Sequence, residues 1–135
     1  MLITTSDVGA SRLKRSHPYQ HSFNLKLKAD VAIKPYENRL ISIGVRVKIP
    51  KNELGLVIAK NSSNREGLLV FPTIHDSSFS GYIGVQCFNL SEETLYLRKG
   101  YAIAQLVILN PSNSVYEDCK DVSITEFMKL FNDGV

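Results

Sequence analysis

Short runs of β-branched and aromatic residues, separated by turn-forming residues, fill the chain from about residue 22 to residue 109. Such runs are typical of strands. In residues 39–48 the apolar positions Ile41, Ile43, Val45 and Val47 alternate with polar or small residues, so one face of this strand should be buried. The whole pattern predicts strands at 23–27, 29–33, 39–48, 54–59, 68–71, 82–89, 94–97 and 102–109. Strands without intervening helices predict an all-β fold of packed or closed sheets.

The pattern changes beyond Pro111, where apolar residues take the spacing of one helix face. Ser123 and Glu126 have the spacing of a capping box at the start of this helix. We therefore expect a short C-terminal helix docked on its own domain, with a partner-binding helix as the alternative. The apolar positions of this helix are Ile124, Phe127, Met128 and Phe131.

Composition limits the class of protein without identifying it. A chain of 135 residues is enough for one core, and two cysteines are too few for a disulfide framework. The sequence contains no stretch of about 18 apolar residues that could span a bilayer and no secretion signal, so we expect a soluble intracellular protein. Both cysteines are expected to be reduced thiols.

Charge is unevenly distributed around a net value of +3. Residues 1–20 form a basic N-terminal arm, residues 21–110 the predicted β domain, and residues 111–135 an acidic C-terminal extension. A basic arm can bind nucleic acid, but a few charges in a terminus are more often simply solvated. We favour the solvated arm and expect no nucleic-acid partner.

Three segments resemble sequence motifs of the trimeric dUTPases. The fourth motif of that family, G-(D/E)-R-I-A-Q-L, is similar to Gly100-Tyr101-Ala102-Ile103-Ala104-Gln105-Leu106. The third motif, D-x-x-Y-x-G-x-(I/V), resembles Asp76-Ser77-Ser78-Phe79-Ser80-Gly81-Tyr82-Ile83. The second motif is similar to the segment from residue 54 to residue 62. Together the resemblance covers residues 21–110 and implies a jelly-roll, or β-clip barrel, with a short C-terminal helix added.

The resemblance also implies a homotrimer with active sites at the subunit junctions, Mg²⁺, and an Asp that acts as general base on the water attacking the α-phosphate. Asp76 occupies the position of this general base. Gly81 retains the glycine of the third motif, and Phe79 replaces a Tyr that packs on the sugar. His75 replaces an apolar residue, which leaves open an acid–base role, a pH-sensitive contact or neither.

Other phosphate-binding and metal-binding positions of the family are altered. Lys60 replaces an Arg, which keeps the charge but loses the bidentate fork. Asn61 stands where a Ser grips phosphate, followed by Ser62. Asn24 replaces a carboxylate near the metal, and a neutral amide is a weaker partner for Mg²⁺. Gln105 is retained.

Two further departures concern the base and the closure of the site. Pro72 and Thr73 stand where the family has a glycine-containing segment that reads uracil through its backbone, and Pro72 has no N–H. The Gly-rich fifth motif is absent, because residues 120–135 contain a single glycine, Gly134, and no Arg. Removing phosphate-clamping or water-excluding parts should cost orders of magnitude in rate.

These changes support two hypotheses of function. The first is a degenerate member, similar to dUTPase-like proteins of viruses, that has lost pyrophosphatase activity and binds a nucleotide or a partner protein, the latter through the C-terminal helix or terminus. The alternative is an active dUTP or dNTP pyrophosphatase that uses Asp76 as general base. In this view Mg²⁺ is required only if the protein is active.

Overall fold

The computed structural model describes residues 2–15, 21–60, 67–111 and 120–132 of the chain. Ten strands and one helix lie in these ranges. The elements are β1 (Ile3–Ser6), β2 (Ser22–Lys26), β3 (Val31–Ile33), β4 (Asn38–Lys48), β5 (Leu54–Ala59), β6 (Leu68–Val70), β7 (Thr73–His75), β8 (Ser80–Asn89), β9 (Leu95–Leu97), β10 (Ala102–Leu109) and α1 (Ile124–Asn132). The predicted all-β fold with a short C-terminal helix is confirmed.

Two four-stranded sheets and a small two-stranded ribbon form the β domain. One sheet has the order β1-β4-β8-β6, the other has the order β2-β10-β5-β7, and β3 pairs with β9. Every pairing is antiparallel. Strands that follow each other in the chain often lie in different sheets, as expected of a jelly-roll rather than of a simple meander.

The core lies between the two four-stranded sheets. The alternation predicted for β4 is confirmed, because Ile43 and Val45 are fully buried while Leu40 and Ser42 are exposed on the other face. Burial of large apolar side chains is the main stabilising contribution in a domain of this kind. The largest fully buried side chains are those of Leu25, Leu27, Ile33, Ile43, Ile49, Leu68, Ile83, Ile103 and Leu106.

The sequence pattern did not predict β1 and β7. β1 is an exposed edge strand whose partner is β4, and its residues show no apolar alternation because neither face is covered by the core. It lies within the segment that the sequence assigns to the basic arm. β7 has only three residues and follows Pro72, a turn former, so no alternation can develop.

The helix α1 begins where the sequence predicts. The backbone N–H of Glu126 donates to Ser123 Oγ at 3.2 Å, which is one of the two hydrogen bonds of the expected capping box. The expected docking on its own domain is wrong for the described side chains, because Ile124, Phe127 and Met128 are 79, 58 and 47% exposed. The side chain of Phe131 lies outside the described part of the structure. Among the described residues no helix is long and apolar enough to cross a membrane.

Candidate functional site

The turn between β7 and β8 carries Asp76. β7 pairs with β5 in one sheet and β8 pairs with β4 in the other, so the chain crosses between the sheets at residues 76–79. The N–H of Phe79 donates to the Asp76 carbonyl at 3.1 Å, and Ser78 has a positive φ of 69°. This tight turn leaves Asp76 exposed.

Contacts to the loop after β4 fix the position of this turn. The N–H of Ser78 donates to the carbonyl of Ile49 at 3.1 Å, and the N–H of Ile49 donates to the carbonyl of Phe79 at 2.8 Å. Ser77 Oγ also donates to the carbonyl of Glu53 at 2.6 Å. The carboxylate of Asp76 is therefore presented from a backbone held at several points, as a group that acts on a bound molecule requires.

Phe79, at the end of the turn, packs between His75 and Gly81. Its ring centroid is 4.3 Å from that of His75, with the rings tilted by 43°. A Cβ added at Gly81 would come within 3.2 Å of Phe79 Cζ, so the glycine makes room for this ring. Gly81, the retained glycine of the third motif, lies in β8, where it allows close approach of the aromatic ring to the backbone.

A cleft of about 480 Å³ opens where β7 and β8 separate into different sheets. His75 is one of its walls, and Asp76 is the next residue along the chain but does not itself line the cleft. The other walls combine apolar surface with a few polar groups, which is typical of small-molecule sites. The lining residues are Leu40, Ser42, Thr73, His75, Tyr82, Ile83, Gly84 and Gln86.

Two titratable side chains in the cleft are perturbed. Burial lowers the pKa of His75 below its usual value, although the nearby charge of Asp76 partly opposes the effect. The phenol of Tyr82 donates to Asp7 Oδ1 at 3.1 Å, which raises the pKa of Tyr82, and the Arg46 guanidinium carbon lies 5.6 Å from the centroid of the Tyr82 ring. Burial thus favours the neutral form of His75, and the hydrogen bond to Asp7 holds Tyr82 as one wall of the cleft.

Three other predicted site residues come together in the sheet β2-β10-β5-β7, on the side of β5 away from β7. Asn24 of β2 and Gln105 of β10 are paired in register, and Lys60 directly follows β5. Lys60 Nζ donates to Asn24 Oδ1 at 2.5 Å, and Gln105 Nε2 donates to the carbonyl of Ala59 at 3.2 Å. Asn61 and Ser62 lie outside the described residues.

One chain does not bring these two groups of residues together. His75 pairs with Gly55 at the start of β5, whereas Lys60 follows the end of that strand. Five residues of strand separate them by about 17 Å. In addition, the ammonium of Lys60 is directed at Asn24 of β2, at the edge of the sheet opposite β7.

The described residues do not form a metal site. Among them no group of three or more His, Cys, Asp or Glu side chains could hold an ion. Asn24, which the resemblance places near the metal, has its oxygen directed at the ammonium of Lys60. A positive charge at that distance repels a divalent cation, so the position does not fit a Mg²⁺ held by the protein alone.

Tyr82 and Leu40 are site residues that the sequence did not single out. Both lie on the outward face of their strands, and both are more than half exposed. Their only sequence signal is an apolar or aromatic residue at a position where alternation predicts a polar one. An exposed aromatic at such a position is a weak signal for a binding surface.

Comparisons with known proteins agree with the motifs. The family model for dUTPase matches residues 10–129. The chain is 31% identical over 105 residues to the Pol polyprotein of equine infectious anemia virus (strain Wyoming), which covers 77% of this chain but only 9% of the polyprotein. It is 31% identical over 100 residues to the deoxyuridine 5'-triphosphate nucleotidohydrolase of Clostridium kluyveri, which covers 72% of this chain and 70% of that protein.

A solved structure has the same fold. The dUTPase of Staphylococcus bacteriophage 80alpha matches with a TM-score of 0.79 over 91% of this chain and 98% of that chain, at 18% identity. At this identity the likeness concerns the fold alone. The family-model match, however, extends over most of the sequence, and the chain therefore belongs to the dUTPase family.

Proposed function

We propose that the protein is a nucleotide pyrophosphatase that hydrolyses dUTP or a related deoxynucleoside triphosphate to the monophosphate and pyrophosphate. The observation that carries this proposal is the position of Asp76, exposed on a fixed turn directly after His75, which lines a cleft large enough for a nucleoside. Phe79, beside it, offers an aromatic surface against which a sugar can pack. Asp76 and Gly81 are retained in this turn region, although Phe79 replaces the Tyr of the family.

In the proposed reaction the Asp76 carboxylate accepts a proton from water. The water oxygen forms a bond to the α-phosphorus, the bond from that phosphorus to the bridging oxygen breaks, and pyrophosphate leaves with the electron pair. General-base assistance of this kind contributes about 10²- to 10⁴-fold to a rate. Any Mg²⁺ would enter on the triphosphate as part of the substrate.

We further propose that each active site is shared between subunits of a homotrimer. The separation of about 17 Å along β5 supports this arrangement, because Lys60 is also directed away from β7, toward Asn24 of β2. In a cyclic assembly the turn at residues 76–79 of one subunit can face the cluster of Lys60, Asn24 and Gln105 of the next. Lys60 would then exchange its hydrogen bond with Asn24 for a contact to phosphate.

Mixing two inactive variants tests the shared site. Asp76→Asn and Lys60→Met should each abolish turnover alone. When the two are refolded together, about one junction in four combines an intact Asp76 with an intact Lys60, so about a quarter of the activity should return. A site within a single chain predicts no recovery. Sedimentation of the mixture gives the oligomeric state independently.

A second candidate is a protein that binds the nucleotide without turnover. The contact between Lys60 and Asn24 favours this second candidate. The ammonium of Lys60, the one described cation of the cluster, is already hydrogen-bonded, and its partner Asn24 is a neutral amide where the family has a carboxylate. Nucleotide binding without pyrophosphate release would support this second candidate. A partner protein for the exposed face of α1 stays a prediction from the sequence.

A further inference from the structure

A pair of cations lies on the outer face of the sheet β1-β4-β8-β6. Arg46 and Lys48 are two residues apart on β4, so their side chains leave the same face of the strand. Both residues are exposed, and within the described ranges neither forms an ion pair with a carboxylate. Like charges at neighbouring positions repel each other. An anion bound between them would relieve this repulsion, so the pair is a candidate anion site.

Hydroxyl groups flank the two cations. Thr5 of β1 is paired with Arg46, and Ser80 of β8 is paired with Lys48. Residues directly opposite each other in an antiparallel sheet share a face, so these four side chains lie on one surface. They border a depression of about 270 Å³. Cationic and hydroxyl donors together are suited to the oxygen atoms of phosphate groups.

This depression adjoins the cleft described above. Tyr82, one wall of the cleft, is paired with Arg46, whose guanidinium carbon lies 5.6 Å from the centroid of the Tyr82 ring. Along β4 and β8 the cleft is followed by this pair and then by the pair of Lys48 and Ser80. A molecule with a ring at one end and a phosphate chain at the other can therefore lie along both.

The depression also borders the turn that carries Asp76. The turn at residues 76–79 leads directly into Ser80, the partner of Lys48, and the N–H of Ile49 donates to the carbonyl of Phe79 at 2.8 Å. Asp7 approaches the same face, but its carboxylate accepts from the phenol of Tyr82 and forms no ion pair with either cation. A phosphate chain bound by the cations would thus lie beside the Asp76 turn.

We propose that Arg46 and Lys48, with the hydroxyls of Thr5 and Ser80, bind the phosphate chain of a deoxynucleoside triphosphate whose nucleoside lies in the cleft. This inference rests on the proposed function, because it requires a nucleotide in the cleft. It places two phosphate-binding cations on the same chain as Asp76, where they act together with Lys60 of the next subunit. None of the phosphate-binding positions predicted from the sequence is among them.

The test is a calorimetric binding series with α,β-imido analogues of dUTP, dCTP, dTTP and dATP, the corresponding deoxynucleosides, and tripolyphosphate as the probe without a base. The double variant Arg46→Gln with Lys48→Gln should bind tripolyphosphate and the preferred analogue about tenfold more weakly, because two exposed charge contacts are lost. Binding of the deoxynucleoside should not change.

The matched control is the double variant Arg98→Gln with Lys99→Gln, which removes one Arg and one Lys at exposed positions directly after β9. It should bind all probes as the wild type does. Arg46→Lys with Lys48→Arg, which exchanges the two side chains and keeps both charges, should retain most of the affinity. Thermal unfolding of each variant separates lost folding from lost binding.

A titration of the wild type does not depend on any variant. Tripolyphosphate should shift the backbone amide NMR signals of Thr5, Lys48 and Ser80. The signals of Ala32 and Tyr96, which are paired in the separate ribbon of β3 and β9, should not move.

Three results would overturn the inference. Equal affinity of the wild type and the Arg46 and Lys48 double variant for tripolyphosphate, or an equal loss in the control, would refute the cation site and leave the proposed function intact. Nucleotide analogues that bind no more tightly than tripolyphosphate would refute the connection to the cleft and indicate a site for free polyphosphate. Absence of pyrophosphate release from every nucleotide would refute the proposed function separately, since the affinity series does not depend on turnover.

Discussion

Asn89 is the one fully buried polar side chain among the described residues, and its four hydrogen bonds join several parts of the fold. Its Nδ2 donates to the carbonyls of Ile33 at 3.0 Å and of Glu93 at 2.8 Å. Its Oδ1 accepts from the N–H and the Oγ of Ser91, at 2.9 and 2.7 Å. The side chain thereby connects the end of β8 to β3 and to the loop before β9.

The isosteric substitution Asn89→Asp reverses only the donor half of this network. The Ile33 carbonyl loses this donor and faces a second acceptor instead, whereas the Glu93 carbonyl can still accept from Ser91 Oγ at 2.9 Å. An unsatisfied buried acceptor costs about 1–3 kcal/mol, so the substitution should lower the free energy of unfolding by about 1–3 kcal/mol. The stability of an ordinary domain is about 5–15 kcal/mol, so this loss is readily measured. The new carboxyl should also have a raised pKa, so the loss should shrink in acid as this group becomes protonated.

Urea unfolding at pH 7, with comparison of the midpoints at equal m-value, measures this loss. The control is Asn38→Asp, the same chemical change at an exposed position that accepts a hydrogen bond from Gln86 Nε2 and can still accept it after the substitution. We expect the control to change stability by about 0.5 kcal/mol or less. A loss at Asn89 below about 1 kcal/mol, or equal to that of the control, would refute the assignment of a buried network.

Three other predictions concern particular side chains and turns. Gly44→Ala should destabilise more than Gly100→Ala, since both glycines have positive φ (77° and 88°) but only at Gly44 would a Cβ meet other atoms, at 3.0 Å; equal losses in urea unfolding would contradict this. Burial raises the pKa of Cys87 to about 11, so in a Cys119→Ser variant the remaining thiol should resist alkylation at pH 8 until the protein is unfolded. Rapid labelling of the native protein would refute its burial. Because the pKa of His75 is lower in the folded than in the unfolded protein, stability should fall as the pH drops below about 6.5, and His75→Gln should flatten this part of the stability profile; an unchanged slope would refute the lowered pKa.

Strands with regular alternation could be predicted closely from the sequence. The bounds of β5 and β10 are those expected, and β4 differs by one residue. The missed strands, β1 and β7, are short and lack a buried face that alternates. Their existence depends on a partner strand distant in sequence, β4 for β1 and β5 for β7, which local patterns do not reveal.

The candidate site was predictable only in part. The position of Asp76 followed from the turn residues and the motif around it. The cleft did not, since it depends on the register that places Leu40 opposite Gln86 and Ser42 opposite Gly84, on strands more than 40 residues apart. The contact between Lys60 and Asn24 likewise arises from the pairing of β2, β10 and β5. Register is set by the packed fold, which the sequence of a single strand does not specify.

The central claim is hydrolysis by Asp76, and the most direct test is pyrophosphate release from dUTP, dCTP, dTTP and dATP in the presence of Mg²⁺. The account predicts release from at least one pyrimidine nucleotide, a fall of about 100-fold or more in Asp76→Asn, and an unchanged rate in Asp121→Asn, a control at an exposed position of the C-terminal extension. No release from any of the four nucleotides, or an equal rate in Asp76→Asn and the wild type, would contradict it.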